Sequence, residues 1–340
     1  MEDRPTPTIT PSLVGRGFVA GIAIAIVSLA FIASYAGALH EPTAHDVPIA
    51  VTRQVPAELA ARLDGSPELA VDVVADDAAA RRAIDVRDDY GALTATPGGL
   101  RLTVAPAASA SIAQLLQQTI PQQLRSAGQR VDVATVHPLP AADSRGLVSF
   151  YTVVGWVIAG YLGATLFGLM FGTQVGRART ALRLGALTAT GLVIGLGGAL
   201  LAKAIGDLPG PWLGLTLLGA LVVVSVGVAT VALQSLLGLA GTGVAILVFV
   251  IVGNPASGGP AAPELLPGFW RAVGQLIPVG AGFEGLRDAA YFPAASLAGP
   301  LLTLGIWLLA GAVVALALGG RGRRMTETEA EVAAAGAMAP

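Results

Sequence analysis

Few residues in this chain are of a type that performs chemistry. The three histidines, His40, His45 and His137, lie close in sequence to Glu41, Asp46 and Asp143. Imidazoles beside carboxylates can ligate a metal or sense pH, because histidine titrates near neutrality. Solvated side chains at a membrane surface would give the same pattern, and that plainer reading of the three is preferred. Ser257, in the stretch Asn-Pro-Ala-Ser-Gly-Gly, has the setting of a nucleophile, but no histidine is near it in sequence. With no cysteine in the chain, disulfides, thiolate metal sites and cysteine nucleophiles are excluded together. There is no GxxxxGK[ST] phosphate loop, HExxH or GxSxG, so ATP is not held through a P-loop and hydrolysis is not expected. The expectation is a chain that is not an enzyme and carries no cofactor and no metal.

What must position these residues is set by composition. Of 340 residues 54% are apolar and only 12% charged, about half the charge of an ordinary soluble domain. Mean hydropathy is +0.71. Such a chain turns much of its surface to membrane lipid. A net charge of −2 offers nothing for nucleic acid.

Charge-free runs mark the spans. Gly17–Leu39, Gly146–Gly176, Leu184–Ala202 and Ala289–Gly320 are each long enough for one helix, and Leu208–Pro263 is long enough for two, given that a crossing takes about 20 residues. Six transmembrane helices result, with a turn near Leu236–Thr242. Arginines set the orientation. Arg4, Arg16, Arg177, Arg179, Arg183, Arg321, Arg323 and Arg324 fall on one side, against Lys203, Arg271 and Arg287 in the short segments of the other. Both termini are therefore expected in the cytoplasm of a cell-membrane protein. Ala36-Gly37-Ala38 resembles a signal-peptidase site, but the apolar stretch before it exceeds the roughly 7–15 residues of a signal h-region. The six spans as drawn contain no ionisable residue, which argues against an ion-coupled carrier. Gln234 and Asn254 are among the few strongly polar groups at that depth. Gly168/Gly172 and Gly191/Gly195 recur at the four-residue spacing that lets helices approach.

The domain boundaries follow: a cytoplasmic tail over 1–16, a first helix over 17–39, an extracytoplasmic α/β domain over 40–145, five helices over 146–320, and a disordered cytoplasmic tail over 321–340. Within the α/β domain, VPIAVT, LAVDVV and VDVATV read as strands. AELAARL, DDAAARRAI and SASIAQLLQQTIPQQLRSAG read as helices. Pro97-Gly98-Gly99 joins GALTAT and LRLTVAP as a hairpin.

The fifth helix breaks after Val252 into a segment containing Pro255, Pro260, Pro263 and Pro267. Irregular backbone at membrane depth survives only when buried in protein or lining a cavity. The segment over 254–292, with two short helices, is read as a re-entrant outer gate in preference to a plain surface loop. Its candidate residues are Asn254, Pro255, Ser257, Gly258, Pro267, Pro278, Gly280 and Arg287.

One helix, a large insertion and five more helices, the last two separated by Leu266-Pro267, Pro278 and Leu286-Arg287, resemble the membrane subunit of ABC type-2 transporters. The strand DVPIAVT after the first helix and VGNPASGG after the fifth resemble the phage-infection-protein-like and nitrosoguanidine-resistance-like branch. The resemblance implies a homodimeric export permease for a hydrophobic or amphipathic compound, driven by a separate ATP-binding subunit. The partner would dock at Arg177, Arg179 and Arg183. The short, proline-broken N-terminal tail departs from the amphipathic interface helix of many such permeases. The alternative is a non-transporting envelope scaffold or receptor whose α/β domain binds a partner or phage.

Overall fold

A computed structural model describes residues 11–337 of the chain. Residues 1–10 and 338–340, the outer parts of the two expected tails, lie outside the described residues. The first helix, α1 (Pro11–Leu39), starts earlier than the charge-free run implies.

The α/β domain follows, in the order β1 (Val47–Thr52), α2 (Ala57–Asp64), β2 (Leu69–Val74), α3 (Asp77–Asp85), β3 (Gly91–Thr96), β4 (Gly99–Val104), α4 (Ala110–Ser126) and β5 (Val131–Thr135). The strands form one sheet in the order β2-β1-β3-β4-β5. Only β3–β4 is antiparallel, with Thr96 opposite Gly99 across the Pro97-Gly98 turn. The helices follow from capping as much as from periodicity. Asp76 accepts the Ala79 N–H at 2.8 Å and Ser109 accepts the Ile112 N–H at 3.2 Å, each serving a donor that the first turn leaves free. One face of α4, including Ile112, Leu116, Ile120 and Leu124, is sealed against Ile49, Leu93 and Leu102 of the sheet.

The bundle comprises α5 (Leu147–Phe171), α6 (Arg177–Gly206), α7 (Trp212–Leu237), α8 (Ala240–Ala256), α9 (Gly268–Gly274), α10 (Pro278–Tyr291) and α11 (Ala298–Ala337). Five helices, α1, α5, α6, α7 and the first part of α11, are long and apolar enough to cross a membrane. A multi-pass helical membrane protein is the result. Of the six expected spans, five are present at full length, and the region of the other holds the shorter apolar helix α8. Its 17 residues reach about 25 Å, at the lower limit for a crossing. The long charge-free run divides at Gly238, whose φ of 62° ends α7. Helix α11 also runs on to Ala337, where the sequence suggests a disordered tail. Alanine, glutamate and arginine, all strong helix formers, make up most of that extension.

Helix α7 is the hub, buried over 83% of its most apolar window, against 6% for α1. Helix α6 closes on it through Gly191 and Gly195: a Cβ on Gly195 would sit 2.6 Å from the Ala220 nitrogen. Gly160 of α5 does the same, 2.7 Å from the Val223 carbonyl. In lipid, where apolar burial between helices gains little, such close approach supplies the attraction. The Gly168/Gly172 pair has another use. Gly168 makes room for the Arg183 and Gln234 side chains, 3.1 and 3.0 Å from its would-be Cβ, and Gly172, at φ 92°, ends α5.

Candidate functional site

The site forms where the α/β domain meets α10. Pro278 starts this helix after an extended Ile277, and its small residues let it sink into the bundle: a Cβ on Gly282 would be 2.9 Å from Val222 of α7. Phe283 and Leu286 are fully buried. Three charges go in with them. Glu284 and Asp288 are four residues apart and share one face. Arg287 and Tyr291, likewise spaced, occupy the next.

The α/β domain supplies the counter-charge to the first face. After α3, Arg87 adopts a left-handed conformation, φ 66°, which for a non-glycine residue costs on the order of 1 kcal/mol. Its guanidinium then reaches Glu284 at 2.6 Å, hydrogen-bonds Asp288 and lies 5.5 Å from the Phe292 ring centre. Burial lowers the pKa of Arg87, but the Glu284 and Asp288 carboxylates more than offset this and hold it above its ordinary value. Around this pair, Tyr90 donates to the Glu264 carboxylate at 2.7 Å, and the backbone N–H of His45 donates to the Glu264 carbonyl at 2.9 Å. Burial, then the nearby Glu264 charge, pushes the Tyr90 hydroxyl well above the usual range. A cavity of about 560 Å³ opens beside these groups, walled by Arg87, Tyr90, Glu264, Glu284 and Asp288 among others. This arrangement joins two bodies through paired charges.

The histidines do not converge. His137 is 2.6 Å from Asp85 and its ring centre is 4.5 Å from that of Phe292. Burial opposes ionisation of Asp85, but hydrogen bonds from His137 and Arg81 win and lower its pKa. The Nδ1 of His40, just beyond α1, is 2.8 Å from the Ala36 carbonyl of that helix, and His45 takes part through its backbone. Among the described residues no group of three or more His, Cys, Asp or Glu side chains is placed to hold a metal.

The candidate gate residues do come together, as packed protein. Asn254, Pro255, Ser257, Gly258, Pro278, Gly280 and Arg287 are buried, and only Pro267 is exposed. The end of α8 lies so close to α9 and α10 that a Cβ on Gly253 would be 2.8 Å from Val279. Pro255 has no N–H for the Ile251 carbonyl one turn earlier. Ser34 of α1 donates its hydroxyl to that carbonyl instead.

Of the three candidate docking arginines, Arg177 and Arg179 are exposed, but Arg183 is not available on a surface. It is fully buried in α6, donating to the Ala164 carbonyl at 3.2 Å and to the Gln234 side chain. The Gln234 amide in turn donates to Thr242 at 2.9 Å. This corrects the expectation that Arg183 is presented for docking; it lies one residue outside the charge-free run over 184–202. Arg183 sits at the charged edge of its span, where a sequence boundary could as readily place it outside.

Sequence reasoning missed Arg87, Tyr90, Glu264, Glu284 and Asp288. The only signal was three charges at helical spacing in an otherwise apolar segment, Gly-Phe-Glu-Gly-Leu-Arg-Asp. The pairing of Arg87 with residues some 200 positions away has no local signature. Compared with family models, with curated proteins and with solved structures, the chain matches none.

Proposed function

We propose that this chain is the membrane permease subunit of an ABC type-2-like exporter. It moves a hydrophobic or amphipathic compound outward, with energy from a separate ATP-binding subunit, and works as a homodimer. The five full-length helices and the shorter α8 make six crossings, with both termini cytoplasmic and the α/β domain outside.

The observation that carries the reading is the ionic junction. The α/β domain is not tethered by its two chain connections alone. It is clamped through Arg87 to α10, which packs on α5, α7 and α11, so a rearrangement of the bundle is felt by the domain. A helical anchor that only displayed a receptor would have no need to bury charges for that connection, since burying an ion pair rarely gains net stability.

The test is purification of the tagged chain from its native host in mild detergent, with mass spectrometry of what accompanies it. A stoichiometric ATP-binding protein, lost when Arg177 and Arg179 become glutamate, is the expected result. Arg183 is left intact because its replacement would perturb the bundle. Recovery of the chain alone, or only of envelope proteins held through residues 40–145, would overturn the permease reading in favour of a scaffold or receptor.

A further inference from the structure

On the other face of α10 a second cavity, of about 380 Å³, lies between the N-terminus of α4, the start of α5, the loop at Gly258–Pro260 and α10 itself. Three polar side chains on its wall are almost completely buried and make no hydrogen bond through the atoms concerned. They are Ser149 at 2%, Arg287 at 7% and Tyr291 at 7% exposure. The Ser149 and Tyr291 hydroxyls are neighbours, without a hydrogen bond of normal geometry between them. The Nη1 of Arg287 has only the Glu284 Oε1 near it, at 3.8 Å and beyond hydrogen-bond reach; the other oxygen of that carboxylate, Oε2, is the one Arg87 holds at 2.6 Å. Buried donors are almost always satisfied, and these three, none of them in a well-formed hydrogen bond, stand around one cavity where an added acceptor would reach them.

The opposite wall is cationic in character. Ser109 caps the Ile112 N–H, which leaves the N–H groups of Ala110 and Ser111 without an intrahelical acceptor at the positive end of a 17-residue helix. Arg145 stands on the rim, and among the described residues no carboxylate lines the cavity. Nearby Asp143 is committed to α5, accepting the Leu147 and Val148 N–H groups at 2.8 and 3.0 Å.

We infer that this cavity is a phosphate-binding site, with Arg287, Tyr291, Ser149 and the first turn of α4 as donors and Arg145 at its mouth. A tetrahedral oxyanion suits it because donors approach from several directions and an arginine fork matches two oxygens. The site does not rest on the transport reading, since it needs neither cargo nor ATPase. The phosphate is either free or the headgroup of an anionic lipid reaching the junction.

The experiment is thermal unfolding of the purified full-length protein in increasing inorganic phosphate, at an ionic strength held constant with chloride. It is repeated without phosphate in nanodiscs of phosphatidylcholine with or without phosphatidylglycerol. Y291F and R145Q are compared with wild type; neither residue makes a hydrogen bond through its side-chain polar atoms on which the fold depends. A saturable stabilisation by phosphate, weakened about tenfold in Y291F, the factor for one lost charge-assisted hydrogen bond, and several-fold in R145Q supports a free-phosphate site. Stabilisation by phosphatidylglycerol alone, lost in the same variants, supports a headgroup site. No stabilisation by either, or one that both variants share unchanged, overturns the assignment.

Discussion

Arg87 of the α/β domain and Asp288 of α10, 201 residues apart in sequence, form a salt bridge with side chains only 12% and 8% exposed. Glu284 completes a triad in which one guanidinium serves two carboxylates. Arg87 therefore seats the domain together with the Tyr90 and His45 contacts to Glu264, and the charges it neutralises would otherwise be left buried in α10.

R87Q should destabilise the protein by on the order of 3 kcal/mol, because removing one partner leaves buried charge without compensation. Thermal unfolding in detergent reads this directly. Hydrogen exchange should rise in α10 and around Arg87 together. An unchanged melting temperature would mean that the junction contributes nothing to the assembly.

Asp89 is expected to make the stability of the α/β domain depend on pH. It is 3% exposed, its Oδ1 has no hydrogen-bond partner, and burial, with Asp72 and Asp88 nearby, raises its pKa to about 7. Between the unfolded value of 3.8 and about 7, the folded chain keeps a proton that the unfolded chain has released. Stability from this group accordingly falls as pH rises through that window. D89N should flatten the profile and be more stable than wild type at pH above about 7. The wild-type-minus-D89N difference in melting temperature isolates the effect from Asp85, whose lowered pKa acts in the opposite sense. A difference independent of pH would refute it.

The Ser34 hydroxyl compensates for Pro255. S34A should cost about 1 kcal/mol, the usual worth of a buried hydrogen bond between helices. In a P255A background, where an N–H can again reach the Ile251 carbonyl, the same change should cost much less. Equal costs in both backgrounds would show that the two residues are not coupled.

Gly195 sets the spacing between α6 and α7. G195V should destabilise by about 1–3 kcal/mol through overpacking, because the space beyond that glycine is filled by the α7 backbone. G197A, where a Cβ meets nothing within 4 Å, should be neutral or stabilising, since alanine is the better helix former. Similar behaviour of the two variants would rule out close helix packing at Gly195.

How much was legible depended on the range of the cause. Each strand and helix of the α/β domain announces itself through alternation or capping within a few residues, as VPIAVT does for β1 and Asp76 for α3. The apolar helices are plain because about 20 lipid-facing residues must lack charge. Their exact ends are less plain: Arg183 reads as a loop residue until Gln234 and Ala164 are seen to receive it. The break after Val252 was visible as proline and glycine, but its partners in α1, α9 and α10 were not.

The sequence by itself determined a membrane chain of apolar helices with one inserted α/β domain, because hydropathy, propensity and capping are local properties of neighbouring residues. Only the tertiary structure decided that α10 lies inside the assembly. Its Glu284 and Asp288 meet Arg87 on one side, and its Arg287 and Tyr291 face a cavity on the other. A charge pair is defined by distance in space, and burial by what the rest of the chain brings alongside. Neither quantity is written in the residues on either side.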